Sequence, residues 1–360
     1  METSASKTSK TYQVWPGKNV FFFHGRLVCG PDPRGLLLTS ISILVSSWIF
    51  TIYIADDLQN TNPTVVTTIC FILTLMVLVN LILVTAIDPG IIPRSTEQQS
   101  SVEDIGSSSK KVTVNGVELK LKYCRICRIF RPPRSCHCAV CDNCVENFDH
   151  HCPWIGQCIA LRNYRFYLMF LITALVFFVY IFGFSCRRIG ERMSESGFGL
   201  FGMLRSFPET LALTFFSFAA IWFLGCLAIF HSYLTAINQQ TADENFRNQY
   251  EGSPNPFDKG IISNIKEVVF APLPPSKVDF RAECSRINMM MPIGIGAGGP
   301  RSIRFLHIYR LKYHITLVSY KVCNINGTLP YDCKSARASK PEHVFQISRL
   351  LSPMGANYVS

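Results

Sequence analysis

Residues Cys124 to Tyr164 read CRICRIFRPPRSCHCAVCDNCVENFDHHCPWIGQCIALRNY, and they hold eight of the chain's fifteen cysteines together with His137, His150 and His151. Two C-x-x-C pairs are explicit, Cys124/Cys127 and Cys138/Cys141, and Cys141/Cys144 overlaps the second. Such a pair sits on a tight knuckle that turns two thiolates toward one metal ion, which is why the spacing recurs in zinc sites. The candidate ligands are Cys124, Cys127, Cys136, His137, Cys138, Cys141, Cys144, His150, His151, Cys152 and Cys158. Structural zinc takes four ligands, so two ions use eight and three of these residues are surplus. A purely structural finger has no need of the extra imidazole and thiol. Asp149-His150-His151-Cys152 places a carboxylate, imidazole and thiol within one short run. That set suits nucleophilic catalysis: a base next to the thiol favours the thiolate, and a carboxylate holds the imidazole in orientation. The competing reading is a zinc-stabilised interaction module in which His150 is spare and Cys152 is buried.

Outward from this stretch the chain is apolar. Its hydrophobic share is 48% and its charged share only 16%, against roughly 25% in soluble domains. Four segments are long and apolar enough to span a bilayer, at about Gly35–Ile54, Val65–Ile87, Phe166–Phe184 and Leu211–Ile237. His231 lies near the end of the fourth, where an interfacial position is expected. The net charge of +11 suits anionic lipid headgroups better than nucleic acid. Lys and Arg are plentiful between Asp88 and Arg165, and absent from Ala55–Thr64. The positive-inside rule therefore puts both termini and the Cys/His loop in the cytosol, with Arg187 and Arg188 as the exceptions. Met1 to Lys18 is polar, so no cleavable signal is expected, and Glu2 stands where myristoylation needs glycine.

The remaining segments carry local signals only. Ser95 to Ser109 reads as a linker, and Val112–Leu121 alternates around Asn115-Gly116 as a short hairpin would. Gln239–Tyr250 looks helical, and a shorter helix is expected near Ser263–Phe270. Gly294 to Gly299 reads as a flexible linker because no strand precedes it and Pro300 follows. The Asn326-Gly327-Thr328 sequon would face the cytosol. No internal repeat is expected.

The stretch quoted above closely resembles the cysteine-rich domain of the DHHC protein S-acyltransferases. Asp88-Pro89-Gly90 resembles that family's DPG motif, and Asn255-Pro256-Phe257 through Asn264 its C-terminal amphipathic element. WPGKNVFF, Trp15 to Phe22, is similar to plant members. The resemblance covers roughly Tyr12 to Arg281. It implies an α-helical polytopic membrane protein with four transmembrane helices and a cytosolic two-zinc domain between helices two and three. By motif position it implies one zinc on Cys124, Cys127, His137 and Cys144, and the other on Cys138, Cys141, His151 and Cys158. That leaves Cys152 as nucleophile, His150 as base, Asp149 as its orienting carboxylate and Cys136 as a bystander, or in a minor reading a second acyl-accepting thiol.

The organisation so implied has a cytosolic segment at 1–34, two helices within 35–87, and a cytosolic loop at 88–165 with its zinc core at 122–165. Two further helices lie within 166–237, and a cytosolic region at 238–360 is flexible after about 285. The implied donor is palmitoyl-CoA, the acceptors are cysteines of proteins at the membrane face, and the plasma membrane is preferred to Golgi or ER by similarity to plant members. Arg131, Arg134, Arg162 and Arg165 could meet the CoA phosphates, with headgroup contact an equal alternative. The family's TTxE motif appears as Thr241-Ala242-Asp243-Glu244, and its missing second hydroxyl predicts weaker support for Asp149. The tail from about Ile303 matches nothing. The rival class is a membrane-anchored zinc scaffold or ubiquitin-ligase adaptor without acyl chemistry.

Overall fold

The computed structural model describes residues 9–95, 110–197, 199–242 and 254–284. Six helices lie in these residues: α1 (Arg34–Ile49), α2 (Pro63–Ala86), α3 (Tyr164–Ser196), α4 (Leu200–Ser206), α5 (Pro208–Ala236) and α6 (Ile261–Phe270). Among the described residues four helical runs are long and apolar enough to cross a membrane: Arg34–Asp57, Pro63–Ala86, Tyr164–Glu195 and Pro208–Ala236. They fit a multi-pass membrane protein, with the Cys/His stretch between the second and third.

Each boundary has a local cause. Asn62 caps α2, its side chain accepting from Thr64 N and Val65 N, and Pro63 takes the first helical position, where its missing N–H costs nothing. The helix stops at Asp88-Pro89-Gly90: Asp88 Oδ1 accepts from Gly90 N and Ile91 N, and Gly90 has φ 112°. Asp88 Oδ2 accepts from Arg162 and Ser276, so this turn ties α2 to the entry of α3. The run Arg34–Asp57 is α-helical to Ile49 and widens into a π-turn at Phe50–Ile54, where Phe50 packs against Tyr180 and Phe184 of α3. Gly197, at φ 63°, ends α3.

The third helix is longer than its expected span of Phe166–Phe184. At 33 residues it reaches about 50 Å, some 20 Å beyond a bilayer's apolar core. The extension carries Arg187, Arg188 and Arg192. Arg188 bonds Asp57 Oδ2 at 2.7 Å and Glu209 Oε1 at 3.2 Å, Arg192 also binds Asp57, and Arg187 pairs with Glu191 at 2.8 Å. The two arginines that broke the charge pattern are therefore neutralised, at the end of the bundle away from the Cys/His domain.

The helices share one apolar core in which α3 packs along α2 and α5. Cys152, Ile155 and Ile159 belong to that core, so the Cys/His domain is seated on the bundle. The expected hairpin forms as Lys111–Val114 and Val117–Lys120, with Asn115 and Gly116 both at positive φ. The helix expected near Ser263–Phe270 is α6. The one expected at Gln239–Tyr250 is not continued from α5: the chain turns at Asn238, φ 47°, and 239–242 are not α-helical. The rest of that segment, Asp243-Glu244, the 96–109 linker and everything after 284 lie outside the described residues.

The segment before α1 wraps the turn that follows Cys152. A Cβ on Gly30 would lie 1.7 Å from Gly156 O, and one on Gly35 1.7 Å from Pro153 O. Thr39 Oγ1 donates to Trp154 O at 3.0 Å. Gly30→Ala or Gly35→Ala should therefore cost about 1–3 kcal/mol of stability, as overpacked sites do, and so lower the thermal midpoint in detergent. Gly183→Ala, whose methyl meets nothing within 4 Å, should not. Equal midpoints for all three variants would contradict the close fit.

Candidate active site and metal centres

Short strands divide the Cys/His residues between faces, because successive side chains on a strand point opposite ways. Cys136–Cys138 pairs antiparallel with Asn143–Val145, setting His137 opposite Cys144. His150–Cys152 pairs with Gln157–Ile159, setting His151 opposite Cys158. Each facing pair is completed by a knuckle, in which Cys127 N donates to Cys124 Sγ and Cys141 N to Cys138 Sγ, both at 3.5 Å.

The structure so gathers Cys124, Cys127, His137 and Cys144 in one group and Cys138, Cys141, His151 and Cys158 in another. These are the two quartets that the resemblance implies. His137 Nδ1 lies 3.7, 3.4 and 3.8 Å from the sulfurs of Cys124, Cys127 and Cys144. His151 Nδ1 lies 3.7, 3.4 and 3.6 Å from those of Cys138, Cys141 and Cys158. A tetrahedron with Zn–S of about 2.3 Å and Zn–N of about 2.05 Å has S–N edges of about 3.55 Å, so both groups fit a four-coordinate metal ion. Hydrogen bonding from Cys127 and Cys144 pulls the Cys124 thiol far down, while Cys124 and Cys127 push the Cys144 thiol up and raise the His137 imidazole to about 10. Asp142 Oδ1 stands 3.4 Å from His137 Nε2, in the position of an orienting carboxylate.

The two groups share the spacing C-x2-C-x9-H-x6-C, offset from Cys124 to Cys138, and their hairpins have the same register. The expectation of no internal repeat is thus corrected. The repeat is short and interleaved, the second unit starting inside the first, so periodicity on the scale of ordinary repeat proteins does not reveal it. It also assigns Cys152 a place. Cys152 occupies in the second unit the position that Cys138 holds in the first, that of a ligand belonging to a next unit that the chain does not build.

On the other face of the same strand, His150 and Cys152 share a side. His150 Nδ1 is 2.6 Å from Asp149 Oδ2, and the Cys152 thiol is within hydrogen-bonding reach of the ring. Asp149 is 2% exposed. Burial works against its charge, but His150 and the Thr241 backbone outweigh it and hold the carboxyl below its ordinary range. Burial likewise opposes the positive charge of His150, yet Asp149 and Cys152 raise it to about 10. The arrangement keeps a proton on the imidazole.

Asp149 is anchored from the chain just past α5. Thr241 N donates to Oδ1 and Thr241 Oγ1 to Oδ2, each at 2.9 Å. The hydroxyl that reaches the carboxylate belongs to Thr241, so Asp149 keeps an anchor although residue 242 is alanine. The chain after α5 is held in turn by Asn264, whose Nδ2 donates to Ala236 O at 2.8 Å and whose Oδ1 accepts from Lys259 N. Arg134 bonds Asn238 Oδ1 at 2.8 Å and lies 4.0 Å over the Phe257 ring.

The sequence model of the DHHC palmitoyltransferase family matches residues 117–249. Probable protein S-acyltransferase 7 of Arabidopsis thaliana is 39% identical over 307 residues, which cover 80% of this chain and 69% of that protein. Probable protein S-acyltransferase 1 of the same plant is 39% identical over 303 residues, covering 78% of this chain and 88% of that one. The chain belongs to the DHHC palmitoyltransferase family. Palmitoyltransferase ZDHHC18-B of Danio rerio is 36% identical over 301 residues, 78% of this chain and 77% of its own. The protein is accordingly a protein S-acyltransferase, with relatives named so in plants.

Within this DHHC protein three of the four arginines considered for CoA are committed internally. Arg134 binds the turn after α5, Arg162 binds Asp88 and Pro274 O, and Arg165 binds Ala271 O. Cys136 is half-buried beside Arg131. His231, expected at an interface, is instead 3% exposed and packed near His150. Its only sequence signal is an ionisable side chain within an apolar span.

Removing the Thr241 hydroxyl deletes a hydrogen bond to an ionised carboxylate, worth about 1.5–3 kcal/mol. Thr241→Val should slow acyl transfer by on the order of tenfold or more, measured as label incorporated per minute. Ala242→Thr should bring no gain. The reverse pattern would assign the anchoring to residue 242.

Proposed function

We propose that the chain takes a long-chain acyl group, palmitoyl, from acyl-CoA onto Cys152 and passes it to cysteines of protein substrates. The observation that carries this reading is the hydrogen-bonded Asp149–His150 pair with Cys152 on the same strand face, against the core of the helices. His150, oriented by Asp149, holds the thiol proton of Cys152. The thiolate attacks the thioester carbonyl, the bond to the CoA sulfur breaks, and CoA leaves with the proton from His150. A substrate cysteine then gives its proton to His150 and attacks the acyl-Cys152 thioester, which frees the Cys152 thiolate. Both steps exchange one thioester for another, so no further energy source is needed.

In this reading the two Cys/His quartets hold zinc. With all four positions on each ion taken by protein, the ions keep the loop in shape and stay out of the chemistry.

The membrane setting follows from the acyl chain. Palmitate has about fourteen methylenes, each favouring removal from water by about 0.8 kcal/mol. Between the four helices, under the Cys/His domain, the tail is sheltered while CoA stays in the aqueous phase. The excess of Lys and Arg between Asp88 and Arg165 supports a cytosolic position for that domain and both termini. Pairing of Arg187 and Arg188 with acids removes the counter-argument. Similarity to plant relatives favours the plasma membrane over Golgi or ER.

The test is incubation of purified protein with labelled palmitoyl-CoA beside Cys152→Ser, with zinc measured in both. The expected result is hydroxylamine-labile label on wild type alone and about two zinc ions in each. A folded, zinc-loaded wild type that takes no label would instead favour the scaffold reading.

A further inference from the structure

Beside the Asp149–His150 pair lies a buried polar group for which the mechanism above has no use. His231 on α5 is 3% exposed, in a helix whose other buried positions are mostly leucine, threonine and serine. Its Nδ1 is 3.2 Å from Tyr164 Oη and its Nε2 3.3 Å from Tyr167 Oη, both tyrosines being on α3. A neutral imidazole has one donor and one acceptor nitrogen, so one tyrosine accepts from it and the other donates. The bridge satisfies every polar atom of the ring. By distance alone Asp149, His150 and His231 could also share a metal ion, but Asp149 Oδ1 and Oδ2, His150 Nδ1 and both His231 nitrogens already have partners.

What the bridge touches is His150. The Tyr167 ring meets the His150 ring edge-on, with centroids 5.4 Å apart and planes at 70°. The His231 ring lies on it with centroids 5.7 Å apart and planes at 33°. His150 thus sits in a slot with two aromatic walls, and the walls are fixed to one another through Tyr167 Oη. Asp149 holds Nδ1 at one point only, and about that point the ring could still swing. The slot stops the swing.

We propose that His231, bridged by Tyr164 and Tyr167, is a positioning residue that fixes the ring plane of His150 toward Cys152 during acyl transfer. The proposal rests on the acyl-enzyme reading. It assigns His231 no proton of the reaction, and what it predicts is a loss confined to the chemical step. Misplacing a catalytic group by about 1 Å can slow a reaction about 100-fold.

The experiment follows acyl-enzyme formation on the full chain in detergent against palmitoyl-CoA concentration. It compares wild type, His231→Phe, His231→Gln and Tyr167→Phe, with zinc content and thermal midpoint recorded for each. His231→Phe keeps a ring but leaves both tyrosines unbridged. It should lower the maximal rate about 10- to 100-fold with KM for palmitoyl-CoA, zinc content and midpoint unchanged. His231→Gln supplies a donor and an acceptor and should recover most of the rate. Tyr167→Phe removes one hydroxyl without emptying space and should fall between them, and it remains decisive if His231→Phe does not fold. A wild-type maximal rate in Tyr167→Phe or His231→Phe overturns the proposal. So does a rate loss that tracks loss of zinc or of midpoint in every variant, which is the pattern of a structural role. Labelled wild type with unaffected variants counts against this inference alone, whereas unlabelled wild type overturns it together with the acyl-enzyme.

Discussion

A β-strand sends neighbouring side chains to opposite faces, and the strand His150–Cys152 serves two sites because of it. His151 turns toward Cys138, Cys141 and Cys158, while His150 and Cys152 turn toward the helices. A register slip by one residue would exchange the two sets, delivering a metal ligand to the apolar core and the Asp149–His150 pair to the thiolates. The register is held from both sides. Cys158 opposite His151 belongs to the same metal group, and Gly30 and Gly35 grip the Pro153–Gly156 turn so closely that neither has room for a side-chain carbon.

Placing Asp149 almost out of solvent beside that strand raises a cost that other parts of the chain must offset, since an unpaired buried carboxylate loses its charge or destabilises the fold. The partners come from far away in sequence. His150 is adjacent, but Thr241 arrives from beyond α5, and its arrival depends on Asn264 closing the end of that helix and on Arg134 reaching across from the Cys/His domain. The site is therefore bound to the bundle as firmly as to its own hairpin. The N-terminal segment adds a further tie: Lys18 N donates to Cys141 O, and Ser9–Lys10 pairs with Glu283–Cys284.

The two metal groups show how little sequence is needed to build such a platform. One unit, C-x2-C-x9-H-x6-C, is used twice with the second copy threaded through the first. Each hairpin then supplies one group from one face and begins the next from the other. Among the described residues no third quartet follows the second copy, and the thiol that would have begun it, Cys152, is left facing an imidazole and an apolar core. A spare ligand position beside a charged pair suits the nucleophile proposed at Cys152.

Much of this was legible in the residues. The four apolar runs, the surplus of three candidates over eight ligands and the Asp-His-Cys run are matters of composition and spacing, which depend on bilayer thickness and metal coordination number and so need no coordinates. The Asn115-Gly116 turn and the stop at Asp88-Pro89-Gly90 are equally local. What spacing alone left open was the division of the candidates between the groups, because a thiol in sequence does not declare its face; the resemblance implied the division, and strand register gives its physical basis. The sequence also misled at three points: Arg187 and Arg188 looked like misplaced cations, Ala242 like a missing anchor and His231 like an interfacial side chain. In each case the deciding partner (Asp57 and Glu209 for Arg188, the Thr241 hydroxyl for Asp149, or Tyr164 and Tyr167 for His231) is brought up by the tertiary fold. Local pattern determines which groups are present and which element carries them. Which groups meet is decided by tertiary contacts between residues distant in the chain.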